Sequence, residues 1–334
     1  MKPPPSLSSP ARRAALARGA LCLLAAAVPA LPALAQEPWP ARPVRLIVPS
    51  APGGGTDVYA RLVATLLSRS MKQSFVVDNR PGASGHIGTQ VVAHAPADGY
   101  TFLVTANAAV AISPALYRKL PFDVEKDLVP VARGVLAPMV LVANPAAGIG
   151  SLGELVRLGK ERPGAIPYGS AGEASPPYLG VRMIEEATGA RFLHVPYKGV
   201  GAAYQDLLSG RLQFMFTDLS SVQPYIKAGK LKPLAVNQAS AMLPGVPSLA
   251  EPGPARIDIW TSFSVFAPAG VPAPILKKMS DELNAAMKTP ELAGALEANA
   301  LVPVFDTPAA FQASMRKERE QWASFIRRNG IRIE

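Results

Sequence analysis

The sequence predicts an α/β protein in which two lobes, each a mostly parallel sheet flanked by helices, enclose a cleft. Three observations indicate this fold. Apolar strand-like runs alternate with helical ones along almost the whole chain, which is typical of parallel sheets covered by helices. Two extended stretches, near residues 135–140 and 260–266, have the length and composition of crossings between lobes. Glycine-rich loops follow several strands, at the sheet edge where α/β proteins bind ligands.

The first 35 residues have the composition of a secretory signal peptide. Lys2, Arg12, Arg13 and Arg18 precede an apolar stretch that ends at Ala33-Leu34-Ala35, the order of a charged region, a short apolar region and a small-x-small cleavage site. The alternative, a membrane anchor, would need a longer apolar run, and this one is interrupted by prolines. We therefore expect cleavage after Ala35 and an exported protein.

Export would change the composition of the chain. The single cysteine lies in the signal peptide, so the mature chain has no thiol, disulfide or cysteine ligand for a metal. The formal charge of +10 loses four cations and becomes +6. A mildly basic chain without a concentrated block of Lys and Arg gives no indication of nucleic-acid binding. About 300 residues remain, enough for two lobes with cores of their own.

Strand and helix patterns alternate in order. The strands are predicted at "PVRLIVP", "SFVVDN", "YTFLVTAN", "VPVARGV", "PMVLVANP", "IPYGS", "RFLHVPY", "LQFMFTDL", "LKPLAVN" and "SFSVFAPAG". The helices are predicted at Val58–Arg69, Thr89–His94, Pro177–Thr188, Gly201–Ser209, Val222–Ala228, Ala273–Lys288 and from Pro308, after the cap Thr307, to Arg328. The expected lobes are residues 36–137 with 262–334, and residues 138–261.

Three loops run from a strand through glycines into a helix. The first contains Gly53-Gly54-Gly55, the second is "NRPGASGHIG" and the third is "YGSAGEASPPYLG". Glycine backbone can lie flush against a ligand, and a helix N-terminus offers unpaired amides and a positive dipole end. A single loop of this kind is equally well explained as a tight turn with a capped helix. Three of them favour a cradle for a small anion.

Enzyme and metal motifs are missing from these loops. Gly55 is followed by Thr56-Asp57 instead of the Lys-Ser/Thr of a Walker loop, and Val58 replaces the third glycine of a dinucleotide fingerprint. Of the histidines, His86 lies in a candidate loop, whereas His94 and His194 have the sequence context of structural residues. We expect no catalytic residue, no metal site and no cofactor.

The chain resembles the Bug family, the periplasmic receptors of tripartite tricarboxylate transporters. The resemblance runs through "PVRLIVPSAPGGGTDVYAR", "VVDNRPGASGHIGTQVVAHAPADGYTFLV", "YGSAGEASPPYLG", "HVPYKGVGAAYQDLLSGRLQFMF" and "IKAGKLKPLAV" to the C-terminal helix, in order, over the mature chain. It implies a two-lobed Venus flytrap fold that closes on a small carboxylate. The partners it implies are the membrane permease subunits, with the receptor itself a monomer.

The resemblance places the first-lobe loop at Ala51 to Asp57 and the second-lobe loop at Ser170 to Ser175. The expected ligand-binding residues are Ala51, Pro52, Gly53, Gly54, Gly55, Thr56, Asp57, Ser84, His86, Asn107, Tyr168, Ser170, Ala171, Gly172, Glu173, Ala174, Ser175, Tyr197 and Asp218.

The sequence departs from the family pattern at several of these positions. Ser84 and His86 replace a glycine and an asparagine, Glu173-Ala174 replaces Asn-Gly, and Thr217-Asp218 replaces Asp-Asn. Glu173 either faces solvent at a helix start or faces the cleft and selects ligands with a positive group. The departures leave the ligand open: a carboxylate or an amino acid.

Two other functions fit the same sequence. A sensor module that reports its ligand to a signalling protein would have the same pattern. A secreted hydrolase acting through Ser84 or Ser170 would need a base beside the serine, and the sequence does not indicate one.

Overall fold

The computed structural model describes residues 39–197, 199–251, 257 and 259–331. The expected signal peptide and its cleavage site lie outside them. The strands are β1 (Val44–Val48), β2 (Phe75–Asn79), β3 (Thr101–Ala106), β4 (Leu128–Ala137), β5 (Met139–Ala143), β6 (Pro167–Ser170), β7 (Leu193–Pro196), β8 (Phe214–Asp218), β9 (Lys232–Val236), β10 (Thr261–Pro268) and β11 (Val302–Pro303). The helices are α1 (Gly55–Met71), α2 (His86–Ala93), α3 (Ser113–Leu116), α4 (Val124–Asp127), α5 (Leu152–Glu161), α6 (Pro176–Thr188), α7 (Val200–Leu208), α8 (Leu219–Lys227), α9 (Ala273–Met287), α10 (Pro290–Ala298) and α11 (Pro308–Arg328).

The strands form two separate sheets. The first has the order β11-β4-β10-β3-β1-β2, and the second has the order β7-β6-β8-β5-β9. In the first sheet β1 pairs in parallel with β2 and β3, while β10 runs antiparallel to both β3 and β4. In the second sheet β6 is parallel to β7 and β8, and β5 is antiparallel to β8 and β9. The predicted α/β fold class is confirmed, but both sheets are mixed, since β10 and β5 run antiparallel to their neighbours.

The first crossing lies where the sequence predicts it, whereas residues 261–266 of the second predicted stretch already belong to β10 of the first sheet. Strand β4 ends at Ala137 and β5 begins at Met139, so the chain passes from the first sheet to the second at Pro138. Asn237 links this crossing to the returning one: its Oδ1 accepts a hydrogen bond from the Met139 amide at 2.9 Å, and its Nδ2 donates to the Ile259 carbonyl at 3.0 Å. Both bonds are buried, so they fix the two crossings to each other.

Local sequence explains where several helices begin. Thr307 caps α11 by accepting a hydrogen bond from the Ala310 amide, with Pro308 in the first turn, as predicted. Ser151 caps α5 in the same way, through the amide of Glu154. Helices α3, α4, α5 and α10 were not predicted. Among the described residues, no helix combines the length and hydropathy that spanning a membrane requires.

Candidate functional site

A cavity of about 140 Å³ lies at the carboxyl ends of β1 and β3, where residues of the two sheets meet. Glycine, alanine, serine, threonine and proline form most of its wall. Among the sequence-predicted residues, those that line it are Ala51, Pro52, Gly54, Gly55, Thr56, Ser84, Ala171, Ala174, Ser175 and Asp218. The cavity therefore brings together parts of all three predicted loops.

The N-terminus of α1 opens onto this cavity. The helix begins at Gly55, and Gly54 at its N-cap has no side chain to cap it. The amide of Val58 makes the first intrahelical hydrogen bond, to the Gly54 carbonyl at 3.0 Å. The amides of Gly55, Thr56 and Asp57 therefore have no acceptor within the helix, and the positive end of the helix dipole lies at the same place. This end of α1 can hold an anion.

Packing explains why position 55 needs glycine. A Cβ atom there would lie 2.6 Å from Cζ of Phe263 and 3.2 Å from Oγ of Ser220. Phe263 is a buried residue of β10 that also lines the cavity. The absence of a side chain lets the helix start approach both the aromatic ring of Phe263 and Ser220 of α8.

Asp57 stabilises the loop instead of lining the cavity. Its carboxylate accepts hydrogen bonds from the Gly53 amide at 3.0 Å, Arg61 Nε at 2.9 Å and Asn79 Nδ2 at 3.0 Å. Burial alone would raise the pKa of Asp57, but these hydrogen bonds outweigh it and hold the pKa below its usual range. Asp57 is thus an ionised group that ties the exposed glycine loop to α1 and to β2.

The second loop is held in an unusual backbone conformation. Ala83 and Ser84 have φ angles of 46° and 54°, in the left-handed region that costs a non-glycine residue roughly 1–2 kcal/mol. Such conformations cluster at ligand sites. Ser84 lines the cavity, and its Oγ lies 3.4 Å from where a Cβ on Gly172 would be. The second and third loops thus meet across the cavity.

The third loop offers fewer amides than the first. Pro176 and Pro177 open helix α6 and have no N–H group, and Ser175 accepts a hydrogen bond from the Tyr178 amide. The Gly172 amide donates to Ser170 Oγ at 3.0 Å. The start of α6 therefore cannot bind an anion as the start of α1 can.

The remaining predicted residues lie outside the cavity lining. Gly53 is exposed, and Gly172 and Glu173 are half-buried beside the wall. Nε2 of the buried His86 forms a hydrogen bond of 2.8 Å with Ser113 Oγ. The side-chain Nδ2 of Asn107 donates hydrogen bonds to the Trp260 carbonyl and to the Glu318 carboxylate. Tyr168 stacks on Phe214, and the Tyr197 hydroxyl donates to Asp206.

Ser170 is paired with a histidine, which the sequence did not reveal. Its Oγ lies 2.7 Å from Nε2 of His194, on the neighbouring parallel strand β7. The Ser170 side chain is fully buried and does not line the cavity. Burial lowers the pKa of His194 to about 4, so the imidazole is a weak base at neutral pH. The pair fixes the third loop to the second sheet.

The half-buried His194 predicts acid sensitivity of the fold. Its ordinary pKa of 6.5 applies in the unfolded chain, against about 4 in the folded one. The unfolded chain therefore binds the proton more readily, and stability falls as the pH drops from 6.5 towards 4, by up to about 3 kcal/mol. Denaturant titrations at pH 7.0 and 4.5 on the native protein and on His194→Gln measure the loss.

The variant isolates this one group. His194→Gln keeps a hydrogen-bonding side chain but does not titrate, so its stability should change less between the two pH values. Carboxyl groups such as Asp218 titrate in the same window in both proteins, and their effect cancels in the comparison. Equal pH dependence in both proteins would contradict the role given to His194.

Several cavity residues were not predicted. They are Pro49, Ser50, Gly82, Gly85, Thr105, Ala106, Ala108, Ala109, Pro176, Pro177, Gly199, Val200, Gly201, Thr261 and Phe263. Many follow the carboxyl ends of β1 and β3, and this position alone was a usable signal. Thr261 and Phe263 belong to β10, which runs antiparallel to β3, so its start lies at this edge.

The described residues include no group of three or more His, Cys, Asp or Glu side chains that could hold a metal ion. The polar groups at the cavity are instead backbone amides, hydroxyls and one carboxyl. These can bind a small polar ligand by hydrogen bonds and by the dipole of α1.

Known proteins share this architecture. The family model described as the tripartite tricarboxylate transporter family receptor matches residues 59–331. BugT of Bordetella pertussis is 35% identical over 301 residues, which are 89% of this chain and 92% of BugT. Rpa4515 of R. palustris, solved with adipate, superposes with a TM-score of 0.84 at 32% identity, over 87% of this chain and 98% of that one. MatC of Rhodopseudomonas palustris, solved with bound malate, superposes with a TM-score of 0.81 at 26% identity, over 86% of this chain and 100% of that one. The chain therefore belongs to the receptor family of the tripartite tricarboxylate transporters, a family of solute-binding proteins.

Proposed function

We propose that this chain is a periplasmic solute-binding protein that captures a small carboxylate in the cavity for a tripartite tricarboxylate-type transporter. The observation that carries the proposal is the uncapped N-terminus of α1, with Gly54, Gly55 and Thr56 on the cavity wall. Unpaired amides and a positive dipole end are what a carboxylate needs. The adipate and malate in the related structures support the same ligand class.

The two lobes are proposed as residues 36–137 with 262–334, and residues 138–261. The strands of the first sheet fall in the first set except for the first residue of β10, and those of the second sheet fall in the second set. The cavity wall draws on both: Thr56 and Ser84 come from the first lobe, Ala174 and Asp218 from the second. The ligand would then bridge the lobes and favour a closed form.

Small side chains give the cavity its capacity. A cavity of about 150 Å³ holds a molecule of benzene size, and this one measures about 140 Å³. The ligand that fits this cavity is therefore a small one, of about benzene size. Enclosure between the lobes removes water from its carboxylate, which strengthens each hydrogen bond to the backbone.

Binding without turnover is the proposed activity. In the serine–histidine pair, Ser170 is buried and does not line the cavity, and the half-buried His194 is a weak base. The proposed partners are the membrane permease subunits, which would dock on the closed, monomeric receptor. Export with cleavage after Ala35 would place the protein in the periplasm.

A thermal-shift screen tests the function. It covers mono-, di- and tricarboxylates, amino acids and pyridine carboxylates. A ligand at about 100 times its Kd should add roughly 2.7 kcal/mol of apparent stability. Each ligand found is then incubated with the protein and recovered intact. No stabilisation by any compound would contradict the receptor proposal, and conversion of the ligand would indicate an enzyme.

Closure of the lobes is a separate prediction. Residues of both lobes line one cavity, and the amides at α1 cannot enclose a ligand alone. A tight ligand should therefore reduce the radius of gyration measured by small-angle X-ray scattering. A ligand-free sample at the same concentration is the control. Identical profiles would contradict closure and indicate a rigid protein or a site in one lobe.

A further inference from the structure

The cavity has one wall of a different electrostatic character. Among its described lining residues, Asp218 alone has an ionisable side chain. It is the last residue of β8 and the N-cap of α8, yet its carboxyl makes no capping hydrogen bond to that helix. A carboxyl at a helix start would ordinarily cap it. Here the side chain is left available to the cavity.

Polar atoms near this wall lack partners. Oδ1 of Asp218 is buried and has no hydrogen-bond partner among the described residues, and the same is true of Oγ of Ser50 and Oγ of Ser220. Ser50 lines the cavity with Asp218, and Ser220 lies close to the start of α1. Buried polar atoms of native proteins are normally paired, so Oδ1 of Asp218 is available as an acceptor for a group of the ligand. Burial raises the pKa of Asp218 to about 6, and the neighbouring Thr261 hydroxyl, which also lines the cavity, only partly offsets this rise.

We propose that Asp218 is the specificity residue of this receptor and that it selects carboxylates that also carry an ammonium group. The inference rests on the proposed function, in which the start of α1 binds the ligand carboxylate. A positive helix end and a negative side chain then line one small cavity. A zwitterionic ligand complements both charges.

A dicarboxylate does not have this complementarity. Its second carboxylate would lie in the same cavity as Asp218, away from bulk water, where like charges repel strongly. An ammonium group instead donates hydrogen bonds to Oδ1 and compensates its charge. The size of the cavity leaves little room for the two carboxylates to avoid each other.

Two matched series test the inference by calorimetry; in each, the ammonium and methyl compounds have the same number of heavy atoms and the dicarboxylate is larger. In the first, 4-aminobutanoate, pentanoate and glutarate differ only in a terminal ammonium, methyl or carboxylate. In the second, alanine, isobutyrate and methylmalonate differ in the same way next to the carboxylate. The two series cover two distances between the charges. In at least one series the native protein should bind the ammonium compound ~10-fold or more tightly than both the methyl compound and the dicarboxylate.

Asp218→Asn removes the charge and keeps the shape. It should lower the preference for the ammonium compound over the dicarboxylate by ~10-fold or more. The inference would be overturned if Asp218→Asn kept the native preference for the ammonium compound. It would also be overturned if Glu173→Gln, and not Asp218→Asn, reversed that preference. So would a native protein that binds glutarate and methylmalonate at least as tightly as their ammonium counterparts, a result that needs no variant to fold.

The proposed function can fail separately. If native protein binds dicarboxylates well and ammonium compounds poorly, the inference fails and the receptor function stands. If none of the six compounds and no compound of the wider screen binds, both fail.

Discussion

Replacing Gly54 by valine should abolish carboxylate binding while leaving the fold intact. Gly54 lines the cavity beside the unpaired amides of α1. Its φ and ψ of −80° and 163° are extended and suit valine, and a Cβ there would meet only the Ala51 carbonyl, at 3.8 Å. The added methyl groups therefore occupy ligand space without straining the chain. An overlap that costs about 3 kcal/mol raises Kd by ~100-fold.

Calorimetry with the tightest carboxylate from the screen measures this loss, and the melting temperature of the free protein checks the fold. Gly153→Val is the matched control. Gly153 lies in α5, away from the cavity, and a Cβ there would meet only Ser151 Oγ at 3.9 Å. It should bind as the native protein does. If Gly54→Val also bound with native affinity, the start of α1 would not be the carboxylate site.

The sequence predicted the alternation of strands and helices because apolar runs and helix caps are local signals. The crossing near Pro138 and the capped start at Thr307 were confirmed. Strand direction is not a local signal, and the antiparallel pairing of β10 with β3 and β4 arises only when the chain returns to the first sheet. Helix α5 was missed, although Ser151 caps it.

The candidate site was predictable in part for a similar reason. Glycine loops after strands are visible in sequence, and all three contribute to the cavity. Side-chain direction is not visible. Asn107 follows β3 as predicted, but its side-chain Nδ2 donates hydrogen bonds to Trp260 and Glu318, and the residue does not line the cavity. The partner of Ser170 lies 24 residues away on a neighbouring strand, and only pairing of the strands brings His194 beside it.

A second large effect is expected where the first sheet supports the cavity. Gly134 lies at a bulge of β4, where the register with β10 shifts, and its φ is +75°. A Cβ there would lie 2.3 Å from the Tyr59 hydroxyl and 2.6 Å from the Phe263 carbonyl. Gly134→Ala combines left-handed backbone strain with overpacking, so the free energy of unfolding should fall by about 3 kcal/mol or more. Denaturant titration measures the loss.

Two controls separate the causes. Gly148 has a φ of +67° with nothing within 4 Å of its Cβ position, so Gly148→Ala should show the backbone strain alone, about 1 kcal/mol. Tyr59→Phe removes a buried hydroxyl that has no partner among the described residues, and it should cost little by itself. In the double variant it should restore part of the stability lost in Gly134→Ala, because the hydroxyl overlap is gone, while the ring carbon Cζ at 2.7 Å and the Phe263 carbonyl still crowd the new methyl. Equal losses in Gly134→Ala and Gly148→Ala would contradict the steric argument.

Since Phe263 lines the cavity, Gly134→Ala should also weaken ligand binding, whereas Gly148→Ala should leave it unchanged.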